Sequence, residues 1–193
     1  MTAIPEKKLY TFEEYLALEQ ASEIRYEYWD GEVFAMAGTT RRHNVLVQNL
    51  TFLLRPFTRT NGCQTFAESV KQEIWKRQRY VYPDVIYTCD PDDISADDGK
   101  WVKNPSLLIE VLSDSTRGVD LHTKRLAYFN LISLQAYMIL AQNRCQVEVF
   151  ERANDFWTYR IFRDLNDRIH LETLGIELAL AEVYETIKFK TRI

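Results

Sequence analysis

Apolar residues along this chain alternate, then recur at helical spacing, then alternate again, and each change of period marks an element. Thr11-Phe12-Glu13-Glu14 has the form of a capping box with Tyr10 and Tyr15 as its hydrophobic staple, which predicts a short helix to about Glu19. Two alternating runs, Arg25 to Trp29 and Glu32 to Ala37, flank Asp30-Gly31. That pair suits a two-residue turn with positive φ at both central positions, so a hairpin is expected with Glu27 opposite Phe34. From His43 the period becomes 3.6: Leu46, Val47, Leu50, Leu53, Leu54 and Phe57 form one stripe, a core-facing helix ending near Pro56 and Asn61-Gly62. Three strand-like segments follow at 63–75, 80–88 and 106–113, the last two separated by a loop rich in Asp and Pro. A second helix is expected over about 116–132, then strands at 136–140, 146–152, 156–163 and 168–172 and a short terminal helix. The order is mixed α and β, with no internal repeat.

Two of the strand-like segments carry an acid among apolar residues: Asp84 in Tyr80-Val81-Tyr82-Pro83-Asp84-Val85-Ile86-Tyr87 and Glu110 in Leu107-Leu108-Ile109-Glu110-Val111-Leu112. Burying an unpaired carboxylate costs several kcal/mol, roughly, unless a cation, hydrogen bonds or protonation relieve it. If the two segments are adjacent strands, alternation can aim both acids at one point on a sheet face. Two converging oxygen donors suit a hard divalent cation such as Mg²⁺, which keeps waters in its remaining positions. Lys124 falls on the apolar side of the second helix, between Leu121 and Tyr128, where an ammonium must snorkel, pair or point at a negative group. Asp120 is its i, i+4 neighbour.

Composition narrows the setting. A chain of 193 residues with 46% apolar and 13% aromatic content accommodates one main domain with a buried core. No apolar run nears the roughly 18 residues that span a bilayer, and Lys7-Lys8 leads into a polar helix and not a signal peptide, so a cytoplasmic protein is expected. Cys63, Cys89 and Cys145 lack the paired spacing of zinc or disulfide frameworks and are expected to be free thiols. The net charge of −4 provides no general attraction to nucleic acid, so a polyanion would need a local basic surface or a metal. Lys71, Lys76, Arg77 and Arg79 could supply such a surface or be a solvated hairpin tip. Asp90, Asp92, Asp93, Asp97 and Asp98 lack the ligand spacing of a Ca²⁺ loop and are assigned no site.

In chain order, Tyr26-Glu27-Tyr28-Trp29-Asp30-Gly31-Glu32-Val33, a helix starting at His43, Pro83-Asp84-Val85, Ile109-Glu110-Val111-Leu112-Ser113, and Lys124 with Tyr128 form a pattern. The pattern resembles the Uma-two family of putative restriction endonucleases, of the PD-(D/E)XK nuclease superfamily, and covers the chain from about Tyr10 to about Phe150. The resemblance implies an α/β fold with a restriction endonuclease-like core, a central mixed sheet flanked by helices, an N-terminal hairpin and a C-terminal β extension. As one domain over 1–193, this would place helix and hairpin in 1–42, the catalytic core in 43–144 and the extension in 145–193. It further implies Mg²⁺ (or Mn²⁺) held by Asp84 and Glu110, Lys124 assisting the attacking water, and Glu27 and His43 as auxiliary catalytic groups. The substrate would be DNA, and a homodimer is expected by analogy, since two sites cut both strands of a duplex most simply. The superfamily pattern expects a lysine two residues after the second acid, where this chain has Leu112. As in other members of the resembled family, the lysine is displaced to the following helix, which makes Lys124 the candidate.

Each residue also has a plainer role. The two acids could be satisfied by backbone amides or an arginine, Lys124 by Asp120, His43 by a hydrogen bond within the core, and Glu27 by Arg25 or Arg42. A nuclease fold kept only for binding nucleic acid or protein is the alternative function.

Overall fold

The computed structural model describes residues 8–36, 38–96, 99–112 and 119–189, the side chains of 119–121 excepted. The chain opens with α1 (Phe12–Gln20), whose capping box from Thr11 to Glu14 is formed as the sequence predicts. The hairpin of β1 (Tyr26–Trp29) and β2 (Glu32–Ala35) follows in the expected register, Glu27 facing Phe34. Its turn places Asp30 at φ +49° and Gly31 at +96°, the left-handed conformations that select Asp-Gly there. Next comes α2 (Arg41–Asn61), capped by the Thr40 side chain and ended by Gly62 at φ +67°. It starts two residues before His43 and continues through Pro56, because the apolar stripe on one face outweighs the single backbone hydrogen bond that proline removes.

The segment 63–75 is two strands, β3 (Gln64–Ala67) and β4 (Lys71–Trp75), and they enter different sheets. The segment 80–88 also divides, into β5 (Arg79–Val81) and β6 (Val85–Thr88). Pro83, which has no N–H to give a ladder, lies between them. A short helix α3 (Pro91–Ser95), capped by Asp90, occupies part of the acidic loop, and Asp93 accepts from the Lys103 and Asn104 amides. Asp90 and Asp93 therefore have structural partners; Asp97 and Asp98 lie outside the described residues. The chain continues through β7 (Trp101–Val102), β8 (Leu107–Leu112), α4 (Val119–Phe129), β9 (Ala136–Ala141), β10 (Val147–Ala153) and β11 (Phe156–Phe162). It closes with the hairpin β12 (Arg168–Leu171) and β13 (Ile176–Ala179), the latter unforeseen, and α5 (Leu180–Val183).

Six strands form the central mixed sheet in the order β11-β10-β9-β8-β6-β3, and five form a second sheet in the order β2-β1-β5-β4-β7. Strands β8 and β9 run parallel and are buried on both faces, which is why both read as apolar runs. On one face Leu107, Ile109, Met138 and Leu140 pack against Leu46, Val47, Leu50 and Leu54 of α2 and against the β12–β13 hairpin. On the other, Leu108, Tyr137 and Ile139 pack against Tyr128 of α4 and Leu131. Phe12, Tyr15, Tyr28 and Tyr80 join α1 to the second sheet. Among the described residues no helix is long and apolar enough to cross a membrane.

The cysteine expectation is corrected for two of the three residues. Cys63 and Cys89 form a disulfide with Cα atoms 4.2 Å apart, and Cys145 alone is a free thiol. The antiparallel register of β3 and β6, with Gln64 opposite Thr88, brings Cys63 and Cys89 face to face across the sheet end. A separation of 26 residues hid this pairing from any spacing rule. Closing a loop of that length restricts the unfolded chain, so reduction, or Cys63→Ser with Cys89→Ser, is expected to lower unfolding free energy by about 3 kcal/mol. Urea denaturation with and without reductant checks this: an unchanged midpoint would show that the crosslink contributes nothing.

Candidate active site

The division of residues 80–88 between two sheets positions the first acid. Asp84 sits immediately before β6, at the point where the chain leaves the smaller sheet for the central one. Its backbone carbonyl accepts from the Glu68 amide at 3.0 Å, and its Oδ2 accepts from the Val111 amide at 2.6 Å. Val85 pairs with Ile109 in the β6–β8 register, so Asp84 and Glu110 are the next positions along the two strands.

Glu110 is 7% exposed and accepts a hydrogen bond at Oε1 from the Tyr128 hydroxyl at 2.8 Å. Its pKa is pushed up to about 8, first by burial, with Lys124 working against the rise and the charges of Asp84 and Glu27 adding to it. Three of the other four residues singled out in the sequence, Lys124, Asp84 and Glu27, are thus close enough to act on this carboxyl group. Crowded carboxylates of this kind favour either a proton or a cation.

Lys124 is buried, and its Nζ donates to Glu27 Oε1 at 2.7 Å. The same oxygen accepts from the Tyr82 amide at 3.2 Å. The counter-charge of Glu27 is therefore Lys124, and the two arginines considered for it are engaged elsewhere: Arg25 donates to the Glu68 carbonyl and Arg42 to the carbonyls of Gln142 and Lys188. The side chain of Asp120, considered as the partner of Lys124, lies outside the described residues.

His43, in the first turn of α2, brings Nε2 to 3.1 Å from Asp84 Oδ1 and 3.5 Å from Glu68 Oε1. The ring is not aimed along either line, so this buried nitrogen has no well-aligned hydrogen-bond partner. Burial disfavours the imidazolium, but Asp84 and then Glu68 outweigh it and raise the pKa above the ordinary histidine value. On its other side the ring meets Gln142, with Nε2 of the amide 3.4 Å from Nδ1.

All five candidates, Asp84, Glu110, Lys124, Glu27 and His43, thus belong to one connected cluster. Two members escaped the sequence reading. Glu68 ends the β3 segment with a positive φ of 53° and is held by Asn44, whose Nδ2 lies 3.4 Å from Oε2. Gln142 follows β9 and accepts a hydrogen bond from Thr40 at 2.8 Å. The polar residue just past each strand was the available signal. Lys71, read as a residue beside a hairpin tip, is buried in a pair with Glu19, while Arg77 and Arg79 pair with Glu13 and Asp30. Three of the four residues of that group are therefore ion-paired. Among the described residues no group of three or more His, Cys, Asp or Glu side chains is arranged to hold a metal ion.

Similarity to known proteins covers the same residues. A family model described as Uma2, putative restriction endonuclease, matches residues 12–181. The uncharacterized protein slr1290 of Synechocystis sp. PCC 6803 is 29% identical over 92% of this chain and 92% of its own length. The uncharacterized protein sll1609 of the same organism is 30% identical over 80% of this chain and 88% of its own. The crystal structure of a putative nuclease belonging to DUF820 from Anabaena variabilis superposes with a TM-score of 0.72 at 14% identity, covering 90% of this chain and 97% of that one. The last likeness concerns the fold, whose central mixed sheet and flanking helices are those expected from the sequence. With the family pattern spanning 12–181 and enclosing every residue of the cluster, the chain belongs to the Uma2 family.

Proposed function

We propose that this protein is a nuclease that hydrolyses phosphodiester bonds of DNA with Mg²⁺ (or Mn²⁺), using Asp84 and Glu110 as the metal-holding pair. The observation that carries the reading is the placement of these two acids at neighbouring positions of paired strands, with Lys124 acting on Glu110 from the next helix. The donor set fits a hard divalent cation. Glu110 is buried and crowded by two further carboxylates, a situation that a cation relieves, and its Oε2 accepts no hydrogen bond from the described residues. The family description and the nuclease-titled neighbour support the reaction class.

When bound, the ion would supply an acidified water and charge neutralisation at the scissile phosphate. The chain's own groups do the rest. The Val111 amide orients Asp84, with the His43 ring beside it, and the Tyr128 hydroxyl orients Glu110. Lys124, held by Glu27, lies within electrostatic reach of Glu110, where its charge can stabilise charge developing on a phosphoryl oxygen. The Glu27–Lys124 pair joins the hairpin region 1–42 to the segment 43–144, which supports reading the chain as a single functional domain. A homodimer would bring together the two sites needed to cut a duplex.

Incubation of supercoiled plasmid, linear duplex, single-stranded DNA and RNA with the purified protein and Mg²⁺ or Mn²⁺ tests the proposal. Cleavage of DNA that chelator abolishes is expected. No cleavage of any form by the wild type would sink it and favour a nuclease-fold module used for binding, a reading helped by the engagement of Lys124 with Glu27.

A further inference from the structure

A second concave feature lies along α2, away from the acids. The C-terminal half of α2 and the start of β3 border a half-open cavity of about 320 Å³ lined by Thr51, Arg55, Thr58, Arg59, Gln64 and Thr65, together with Cys63 of the Cys63–Cys89 disulfide. Its walls contain two guanidinium groups and no carboxylate. Neither Arg55 nor Arg59 is ion-paired among the described residues, unlike Arg77, Arg79, Arg160 and Arg168. Thr65, which lines this space, has an Oγ1 that is buried without a hydrogen-bond partner. A hydroxyl left unpaired inside a protein is unfavourable, and a ligand atom bonded to it would relieve that cost.

The helix dipole alone does not account for the arginines. Arg59 is in the last turn, where a cation meets the negative helix end, but Arg55 is a turn earlier. Part of that negative end is already quenched: the Gly62 and Cys63 amides bond to the Thr58 carbonyl, and the Thr58 and Thr60 hydroxyls bond to the carbonyls of Arg55 and Pro56. The hydroxyls of Thr51 and Thr58 are spent on helix carbonyls, so the available donors are Arg55, Arg59, Thr65 and the Gln64 amide. Cationic and neutral donors without an acid make an oxyanion site.

The position of the cavity suggests which oxyanion. From Arg41 to Asn61, α2 carries four arginines and no acidic residue, in a chain whose net charge is −4. Asn44, Gln48, Thr51, Arg55 and Arg59 recur every three or four residues and so form one stripe of that helix. The stripe begins at the acid cluster, where Asn44 holds Glu68 and Gln48 donates to Asn44 at 2.7 Å, and it ends in the cavity. Beside it runs β3, an edge strand, from Gln64 and Thr65 in the cavity to Glu68 next to Asp84, a span of about 10 Å for three strand residues. A polar, acid-free track therefore joins the cavity to the candidate active site.

We infer that the α2–β3 cavity is a phosphate subsite that holds the nucleic-acid backbone a short distance along the strand from the bond to be cut. The inference rests on the nuclease reading for its ligand, and the volume accommodates a phosphate with its attached sugar. Arg55 and Arg59 grip the phosphate oxygens, and Thr65 supplies the buried hydrogen bond. Contacts of this kind set affinity and register without reading sequence.

The test is fluorescence anisotropy of a labelled DNA oligonucleotide, single-stranded and duplex, in chelator so that binding is read without cleavage. The Arg55→Gln/Arg59→Gln variant alters exposed side chains and is compared with wild type across a salt series. Binding of the variant is expected to be weaker by on the order of tenfold or more, with the slope of log K against log salt shallower by about one per lost phosphate contact. Thr65→Val, which removes only the hydroxyl, is expected to weaken binding in the same direction by less. In Mg²⁺ the arginine variant should raise KM for cleavage and leave kcat unchanged. Equal DNA affinity and salt slope in wild type and variant would overturn the inference and leave the nuclease reading intact. Arginine-dependent binding without any cleavage would uphold the inference and remove the nuclease reading. Inorganic phosphate is the second probe: if it raises the wild-type melting temperature while DNA affinity ignores the arginines, the cavity is a free-phosphate site and the inference fails. A wild type that binds no nucleic acid overturns both.

Discussion

Asp84→Asn and Glu110→Gln are each expected to lower metal-dependent DNA cleavage by on the order of a thousandfold or more, because each withdraws a carboxylate charge from the place where a cation must sit. The two substitutions differ in their effect on folding, and the difference is informative. Asn at position 84 keeps an oxygen that can accept from the Val111 amide, but it loses the charge next to His43. Gln at position 110 can still accept from Tyr128, and it removes a buried carboxyl whose pKa lies at about 8 because of burial. Glu110→Gln is therefore expected to keep or raise thermal stability while activity disappears, a combination that general damage to the fold does not produce. Calorimetric titration with Mn²⁺ supplies the independent readout: a site present in wild type and missing in both variants is expected. Retained cleavage in either variant would remove that acid from the metal-holding pair.

Local chemistry made part of this arrangement readable before any coordinates. The Asp30-Gly31 turn demands positive φ at two successive residues, so the hairpin and its register followed from the turn, and Glu27 came out opposite Phe34. Strand β8 was legible because burial on both faces leaves an almost unbroken apolar run in which Glu110 stands out. What depends on distant segments was not legible. The runs at 63–75 and 80–88 look continuous, yet each is divided between two sheets, since strand propensity does not record which neighbour a residue pairs with. That division puts Asp84 at a sheet boundary and lets Glu68 reach His43, and a reading of 63–75 as one strand hides it. The partner of Lys124 was missed for the same reason. Asp120 is near in sequence, whereas Glu27 lies 97 positions away.

That long-range pair carries the second large effect. Lys124→Met is expected to destabilise the protein by about 3–5 kcal/mol, because Glu27 stays buried after its counter-charge is gone. Methionine matches the lysine stem in length, so most of the loss is electrostatic and little comes from packing. Glu27 would retain the Tyr82 amide, which offsets only part of the cost. Glu110 would change as well: Lys124 is the charge that holds its pKa down, so the variant should protonate Glu110 more readily. Glu27→Gln alone removes one of the charges that raise the Glu110 pKa and keeps a polar group facing Lys124. Combining Glu27→Gln with Lys124→Met leaves no isolated charge in the pair, and it should recover a large share of the stability lost in Lys124→Met. Cleavage should follow a different rule. If Lys124 stabilises charge on the phosphate, the double variant regains stability without regaining activity, whereas a lysine that serves only to neutralise Glu27 predicts that both return together. Urea unfolding and plasmid cleavage on the three variants separate these outcomes, and restored cleavage in the double variant would reduce Lys124 to a structural partner of Glu27.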